Sequence, residues 1–152
     1  FLVQSENGDT LIKASSQWIL IDAARRRPIA LRENLPMYQV IGERVIDTDF
    51  PKISEPQRID EAAEFFIRFD DIDLNNHVNN AVYPLWASEA VGIDFRAAHT
   101  PAEIEVAFKK EGLYGEDIRV ETEFDNLTTI HRIKATGDGR ELARVRICWI
   151  GI

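Results

Sequence analysis

Apolar and polar positions alternate along much of the chain, the period of a half-buried strand, and in one stretch they recur at helical spacing. Residues 1–5 and 10–22 read as a hairpin around the turn Glu6-Asn7-Gly8-Asp9, with alternation through Leu11, Lys13 and Ser15 and again through Trp18 and Leu20. The pattern breaks after Ala23: Arg25, Arg26 and Arg27 lead into Pro28, and Pro36, Pro51 and Pro56 follow among scattered acids. Residues 30–60 are therefore expected to form a connector with one short helix near 37–43. An ordered block follows, with a strand at 62–69, a polar loop at 70–79 and an amphipathic helix over 80–91. In that helix Val78, Val82, Leu85 and Ala90 fall on one face beside Trp86, and Asn79 or Asn80 supplies the N-cap. Pro84 loses a backbone bond to residue 80, a small loss near a helix start. Four further strands are predicted at 103–110, 117–126, 128–136 and 141–150, the last two joined by Gly137-Asp138-Gly139.

The closing hairpin resembles the opening one. At an offset of 131 residues, Gly8, Leu11, Lys13, Trp18 and Ile19 fall on Gly139, Leu142, Arg144, Trp149 and Ile150. Duplication explains this pattern if residues 1–22 close a first copy whose beginning is missing. The start on Phe1-Leu2-Val3-Gln4, without an initiator methionine, fits the same expectation of a piece of a larger protein.

Composition narrows the classes. At 152 residues, with 45% hydrophobic and 29% charged side chains, the chain can bury one ordinary core and part of a second. A formal charge of −8 argues against nucleic acid as partner, because phosphate neutralisation needs a basic surface. An acidic partner would have to meet a local basic patch. The single cysteine, Cys148, excludes an internal disulfide and suits a reducing compartment. No apolar run approaches a membrane helix, so no membrane partner is expected.

The run Asp73-Leu74-Asn75-Asn76-His77-Val78-Asn79-Asn80 carries the candidate chemistry. In extended chain, Asp73, Asn75, His77 and Asn79 would face one space, just ahead of a helix start whose unpaired amides suit a developing oxyanion. Hydrolysis of an acyl thioester asks for such parts: a base for water, donors for the carbonyl oxygen and groups that orient both. Composition alone would equally describe a hydrogen-bonded turn. A calcium loop fits Asp71, Asp73 and Asn75 but fails at Asn76, where glycine is needed, and at Val82, where a bidentate Glu is needed. His99 and His131 supply no metal-ligand spacing, and no Gly-rich phosphate loop or Gly-x-Ser-x-Gly elbow occurs. Neither a metal nor a cofactor is expected.

With these residues in view, the chain resembles the acyl-acyl carrier protein thioesterases of plants and bacteria, enzymes built from two tandem hotdog domains. The resemblance rests on Asp71-x-Asp73-x-Asn75-x-His77-Val78-Asn79-Asn80, on Tyr83-x-x-Trp86, on Ser16-x-Trp18 leading to Arg26-Arg27-Pro28, and on Phe108-Lys109-Lys110-Glu111. It implies a catalytic set of Asp73, Asn75, His77 and Glu111, with Glu111 on the next strand and Asn79, Asn80, Tyr83 and Trp86 near the substrate. By the resemblance Glu111 and His77 activate water, either one taking the proton; Asn75 binds the thioester carbonyl or orients His77, and Asp73 holds the network. Histidine ionises near neutral pH, as such a base should. The plant enzymes carry a cysteine directly after that Glu, where this chain has Gly112, a departure that favours direct attack by water.

The implied fold is an α+β hotdog, an antiparallel sheet wrapped around a central helix, preceded by a partial hotdog. Residues 1–29 would be the closing strands of a truncated first hotdog, 30–60 the connector and 61–152 the second, catalytic hotdog. The acyl chain would lie between helix and sheet. The implied reaction is hydrolysis of fatty acyl-acyl carrier protein to free fatty acid, ending fatty acid synthesis. Lys109, Lys110 and Arg25–Arg27 would give the acidic carrier protein its positive patch. Surface left open by the truncation favours a homodimer. The compartment would be the cytoplasm, or the plastid stroma for a plant protein targeted by an upstream segment. Two rivals remain at this point: a single-hotdog acyl-CoA thioesterase, and a non-catalytic acyl-binding hotdog.

Overall fold

The computed structural model describes residues 1–22, 24–25, 27–35 and 42–152. Contacts gather into two compact units, Phe1–Pro51 and Lys52–Ile152.

In the first unit, β1 (Leu2–Gln4) pairs antiparallel with β2 (Thr10–Lys13) around a turn in which Gly8 takes a φ of 88°. The turn falls where Asn7-Gly8 predicts it, but the second strand stops at Lys13 instead of running to residue 22. Two short strands follow, β3 (Ile21–Asp22) and β4 (Arg27–Pro28), paired with each other. Among the described residues β2 pairs with β1 alone and none of its side chains is buried, so nothing rewards a longer strand. Trp18 is exposed, whereas Trp149, its counterpart in the apparent repeat, is buried. A single helical turn, α1 (Leu31–Asn34), follows; the helix expected near 37–43 lies mostly outside the described residues.

The second unit holds β5 (Glu61–Phe66), a 3-10 turn (Phe69–Asp71), α2 (Val82–Glu89), α3 (Ile93–Ala98), β6 (His99–Phe108), β7 (Asp117–Asp125), β8 (Thr128–Ala135) and β9 (Glu141–Gly151). Five strands form one antiparallel sheet in the order β5-β7-β8-β9-β6. Alternation builds it, most strictly in β8. Along β8, Thr129, His131, Ile133 and Ala135 are buried while the residues between them are half-buried. Ile118 and Val120 of β7 and Ala143, Val145 and Ile147 of β9 extend this apolar face. Helix α2 lies against it, packing Tyr83, Trp86, Ala87 and Ala90 into the same core. This is the α+β hotdog arrangement expected from the sequence.

The helix departs from expectation in three ways. It starts at Val82 with Ala81 as N-cap and no side-chain cap, because Asn79 serves the turn before it. Its buried face is Tyr83, Trp86, Ala87 and Ala90, and Leu85 is 62% exposed. Val78 had fixed the predicted phase, yet Val78 lies outside the helix, in a bridge to Ile72. Pro84 is the third helical residue, where an N–H would have no partner within the helix. Helix α3 was not anticipated, and β6 starts at His99, four residues ahead of the predicted strand.

The stretch before β5 is bound to the outer face of this sheet. The Ile53 carbonyl accepts from buried Arg144 at 3.0 Å, Glu55 pairs with Arg132, the Gln57 N–H donates to Glu123 at 2.6 Å, and Asp60 accepts the Phe124 N–H at 2.8 Å. On the inner face His131 is fully buried, with ring nitrogens 2.9 Å from Thr122 Oγ1 and 2.7 Å from Thr129 Oγ1. Burial pushes its pKa down to about 3, so it is a neutral core histidine.

Candidate active site

The polar run forms a closed loop rather than an extended strand. Ile72 and Val78 bridge across it, and the Asp73 N–H donates to the His77 carbonyl at 2.8 Å. Asn76 takes a φ of 63°, a left-handed conformation that asparagine tolerates better than most residues and that tightens the turn. Convergence of the polar groups thus comes from a tight turn, and the period-two argument does not apply.

Asp73 braces this loop from within. Its Oδ1 accepts the Asn75 N–H at 2.8 Å and the His77 N–H at 3.4 Å, and Asn75 Nδ2 lies 3.4 Å from Oδ2. The Asn75 N–H above all holds the Asp73 carboxyl below the usual carboxylate range. Two residues upstream, Asp71 is buried and gripped by the Arg68 guanidinium at 2.8 Å, which lowers its pKa in turn. Asp71 also anchors the far side of the loop, its carbonyl accepting the Asn79 N–H at 2.8 Å.

Glu111 reaches His77. The two side chains stand 3.3 Å apart, Nε2 to Oε2, at 35% and 55% exposure, so solvent water has access to both. Glu111 is not on a strand: β6 ends at Phe108, and the Lys109 and Lys110 N–H groups both converge on the Leu142 carbonyl, which ends the ladder. The loop after it is fixed to the His77 loop by the Val78 N–H, which donates to the Gly112 carbonyl at 3.0 Å. Arg140 holds it from the other side, bonding Glu116 at 2.6 Å and the Glu111 carbonyl at 3.3 Å.

The residues expected near the substrate divide into two pairs. Asn79 and Asn80 are exposed ahead of α2, and Asn79 takes up the Ala81 N–H with its side chain at 3.0 Å and the Val82 N–H with its carbonyl at 2.9 Å. Two amides expected to face an oxyanion are therefore already occupied. Tyr83 and Trp86 are core residues, in edge-to-face contact at 5.5 Å, and Tyr83 also meets Phe108 at 5.6 Å. Burial raises the pKa of the Tyr83 hydroxyl, against a backbone hydrogen bond from Gly112. Of the proposed basic patch, Lys109 faces Glu141 at 3.8 Å and Arg25 faces Asp22 at 3.8 Å.

An imidazole and a carboxylate in contact, open to water and held by a rigid loop, can deprotonate a water molecule in front of an electrophilic carbonyl. Sequence reasoning took Gly112 only as the place of an absent cysteine and missed Arg140 and Glu116, which help to hold Glu111 in place; no local spacing could reveal contacts that span about thirty residues.

A family model described as the acyl-ACP thioesterase C-terminal domain matches residues 54–151. The palmitoyl-acyl carrier protein thioesterase of Arabidopsis thaliana, a chloroplastic protein, is 25% identical over 164 residues, covering 93% of this chain and 39% of its own length. Among solved structures, the 12:0-ACP thioesterase from Umbellularia californica superposes with a TM-score of 0.77 at 21% identity, covering 99% of this chain and 61% of that one. An acyl-ACP thioesterase from Bacteroides thetaiotaomicron gives 0.62 at 20% identity, covering 86% and 53%. The chain thus spans about two fifths of the length of the Arabidopsis relative.

Proposed function

This chain belongs to the acyl-ACP thioesterase family, and from that premise we propose that the protein hydrolyses fatty acyl-acyl carrier protein to free fatty acid and carrier protein, ending fatty acid synthesis. The observation that carries the reading is the His77–Glu111 contact of 3.3 Å beside a loop braced by Asp73. Water held by this pair loses a proton to His77 or Glu111 as its oxygen attacks the thioester carbon. Asn75, at the mouth of the loop, is the candidate donor to the carbonyl oxygen. Collapse breaks the C–S bond, and the sulfur leaves with a proton returned from the pair. Gly112 stands where the plant enzymes carry cysteine, which excludes a thiol nucleophile at that position and favours direct attack by water. Asp73 acts by orienting Asn75 and His77.

Residues 1–29 serve in this reading as the end of a first hotdog, 30–60 as connector and 61–152 as the catalytic hotdog. The chloroplastic relative supports the plastid stroma as the compartment for a plant protein; outside plants this reading places the reaction in the cytoplasm. Exposed Leu85 and Ile93 support self-association as a homodimer.

The test compares hydrolysis of acyl-acyl carrier protein and acyl-CoA by the full-length protein. Carrier esters should turn over faster; equal or better turnover of CoA esters would reject the carrier-protein assignment. His77→Ala and Glu111→Ala should each lower kcat by about 100-fold or more while acyl binding persists. A fully active Glu111→Ala enzyme would remove Glu111 from the mechanism.

A further inference from the structure

We propose that Gly112 is a positioning residue for this reaction: the lack of a side chain there lets the Glu111 loop close onto the His77 loop and sets the separation of the pair. The inference rests on the hydrolase reading above. A Cβ at position 112 would lie 2.9 Å from Val78 Cγ2, 3.1 Å from Ile67 Cδ1 and 3.3 Å from the Tyr83 hydroxyl. The first of these is inside the distance that packed side chains tolerate, and the second is tight. All three neighbours are buried, Ile67 completely, and valine is stiff at χ1, so none has space to withdraw into.

The loop cannot lift away cheaply either. The Val78 N–H bonds the Gly112 carbonyl at 3.0 Å, and the Gly115 N–H bonds the Ile67 carbonyl at 3.1 Å. Glu116 bonds both Arg140 at 2.6 Å and the Leu113 N–H at 2.9 Å. Backbone conformation is not what selects glycine here, because Gly112 is not among the glycines of positive φ. Space selects it. Gly112 adjoins Glu111, and Val78 adjoins His77, so one backbone hydrogen bond ties together the chain neighbours of both active side chains. A side chain at 112 would wedge that junction open and spoil the 3.3 Å contact. A cysteine introduced there would meet the same wall, so in this enzyme it would obstruct the water route instead of adding a thiol route.

The experiment measures kcat and KM of the full-length protein on lauroyl- and palmitoyl-acyl carrier protein. Gly112→Ala should lower kcat by about 100-fold and leave KM within about twofold, the signature of misplaced reacting groups. In a Glu111→Ala background the same substitution should change nothing further, since nothing is left to position. Adding Val78→Ala, which removes the obstructing methyl, should recover kcat to within about threefold of Val78→Ala alone. A near-normal kcat for Gly112→Ala would overturn the proposal, and so would an additive loss in the Glu111→Ala background. If Gly112→Ala does not fold, the Val78→Ala/Gly112→Ala pair decides: turnover equal to Val78→Ala upholds the proposal, and a deficit above about tenfold refutes it. Failure of the parent protein to hydrolyse any acyl ester would instead overturn the function itself, and the positioning role with it.

Discussion

Asp73 uses its charge within its own loop. Its folded-state pKa lies below the ordinary value, because the backbone N–H of Asn75, with that of His77, favours the carboxylate. The brace is therefore complete above the unfolded carboxylate pKa, and is lost only as pH falls through the lowered value. Asp73→Asn should cut turnover at neutral pH by about tenfold, by replacing charge-assisted hydrogen bonds with neutral ones. The acid limb of the kcat/KM profile, recorded between about pH 5 and pH 9, should stay where it was. A shifted limb would mean that Asp73 is itself the titrating group. The sequence exposed Asp73, Asn75 and His77 because they lie within five residues of one another and form one turn. Glu111 came only from family resemblance, since a Lys-Lys-Glu strand end has no local mark of catalysis. Gly112 was read as an absent thiol, and its packing role depends on Ile67, Val78 and Tyr83, which only the folded chain assembles.

The strands were the most legible elements. β7, β8 and β9 fall within one residue of their predicted limits; β8 alternates throughout between a buried and a wetter face, and β7 and β9 depart from alternation only where residues of both faces are buried, at 120–122 and 142–145. The helix was found but turned about its axis, since buried Val78 was counted as helical when it belongs to the loop bridge. Legibility ended at elements with weak periodicity, such as α3, in which no residue is buried. Within β8 the same alternation places His131 on the core face, and this has a pH consequence. Its pKa is near the ordinary value when unfolded and about 3 when folded, so the unfolded chain binds the extra proton between these values. Stability should hold above about pH 6.5 and fall as pH drops toward 3, by on the order of a few kcal/mol from this residue. His131→Gln, which can still bond Thr122 and Thr129, should flatten that part of the stability profile measured by urea unfolding. An unchanged slope would assign the acid sensitivity to other groups.

At the scale of the molecule, the boundary between the units decides which piece can stand alone. Alternation and proline content suggested that the ordered block starts near residue 61, because residues 52–60 carry no periodic signal. The structure binds that stretch to the outer sheet face, where its role depends on partners 62 to 91 positions away. Arg144, 5% exposed, takes the Ile53 carbonyl as a hydrogen-bond acceptor, and Ile53 is itself buried. Arg132 takes Glu55, and Glu123 takes the Gln57 N–H. A fragment starting at 61 would leave Arg144 with Glu141 alone and uncover the apolar surface beneath Ile53. A lost hydrogen bond to a buried cation costs about 1.5–3 kcal/mol, and exposing an isoleucine about as much again. The fragment 52–152 should therefore unfold cooperatively and melt roughly 10 °C or more above the fragment 61–152. Calorimetry on the two fragments gives the comparison. Equal melting temperatures would show that the stretch rests on the sheet without stabilising it, and would move the working boundary of the catalytic unit back to residue 61.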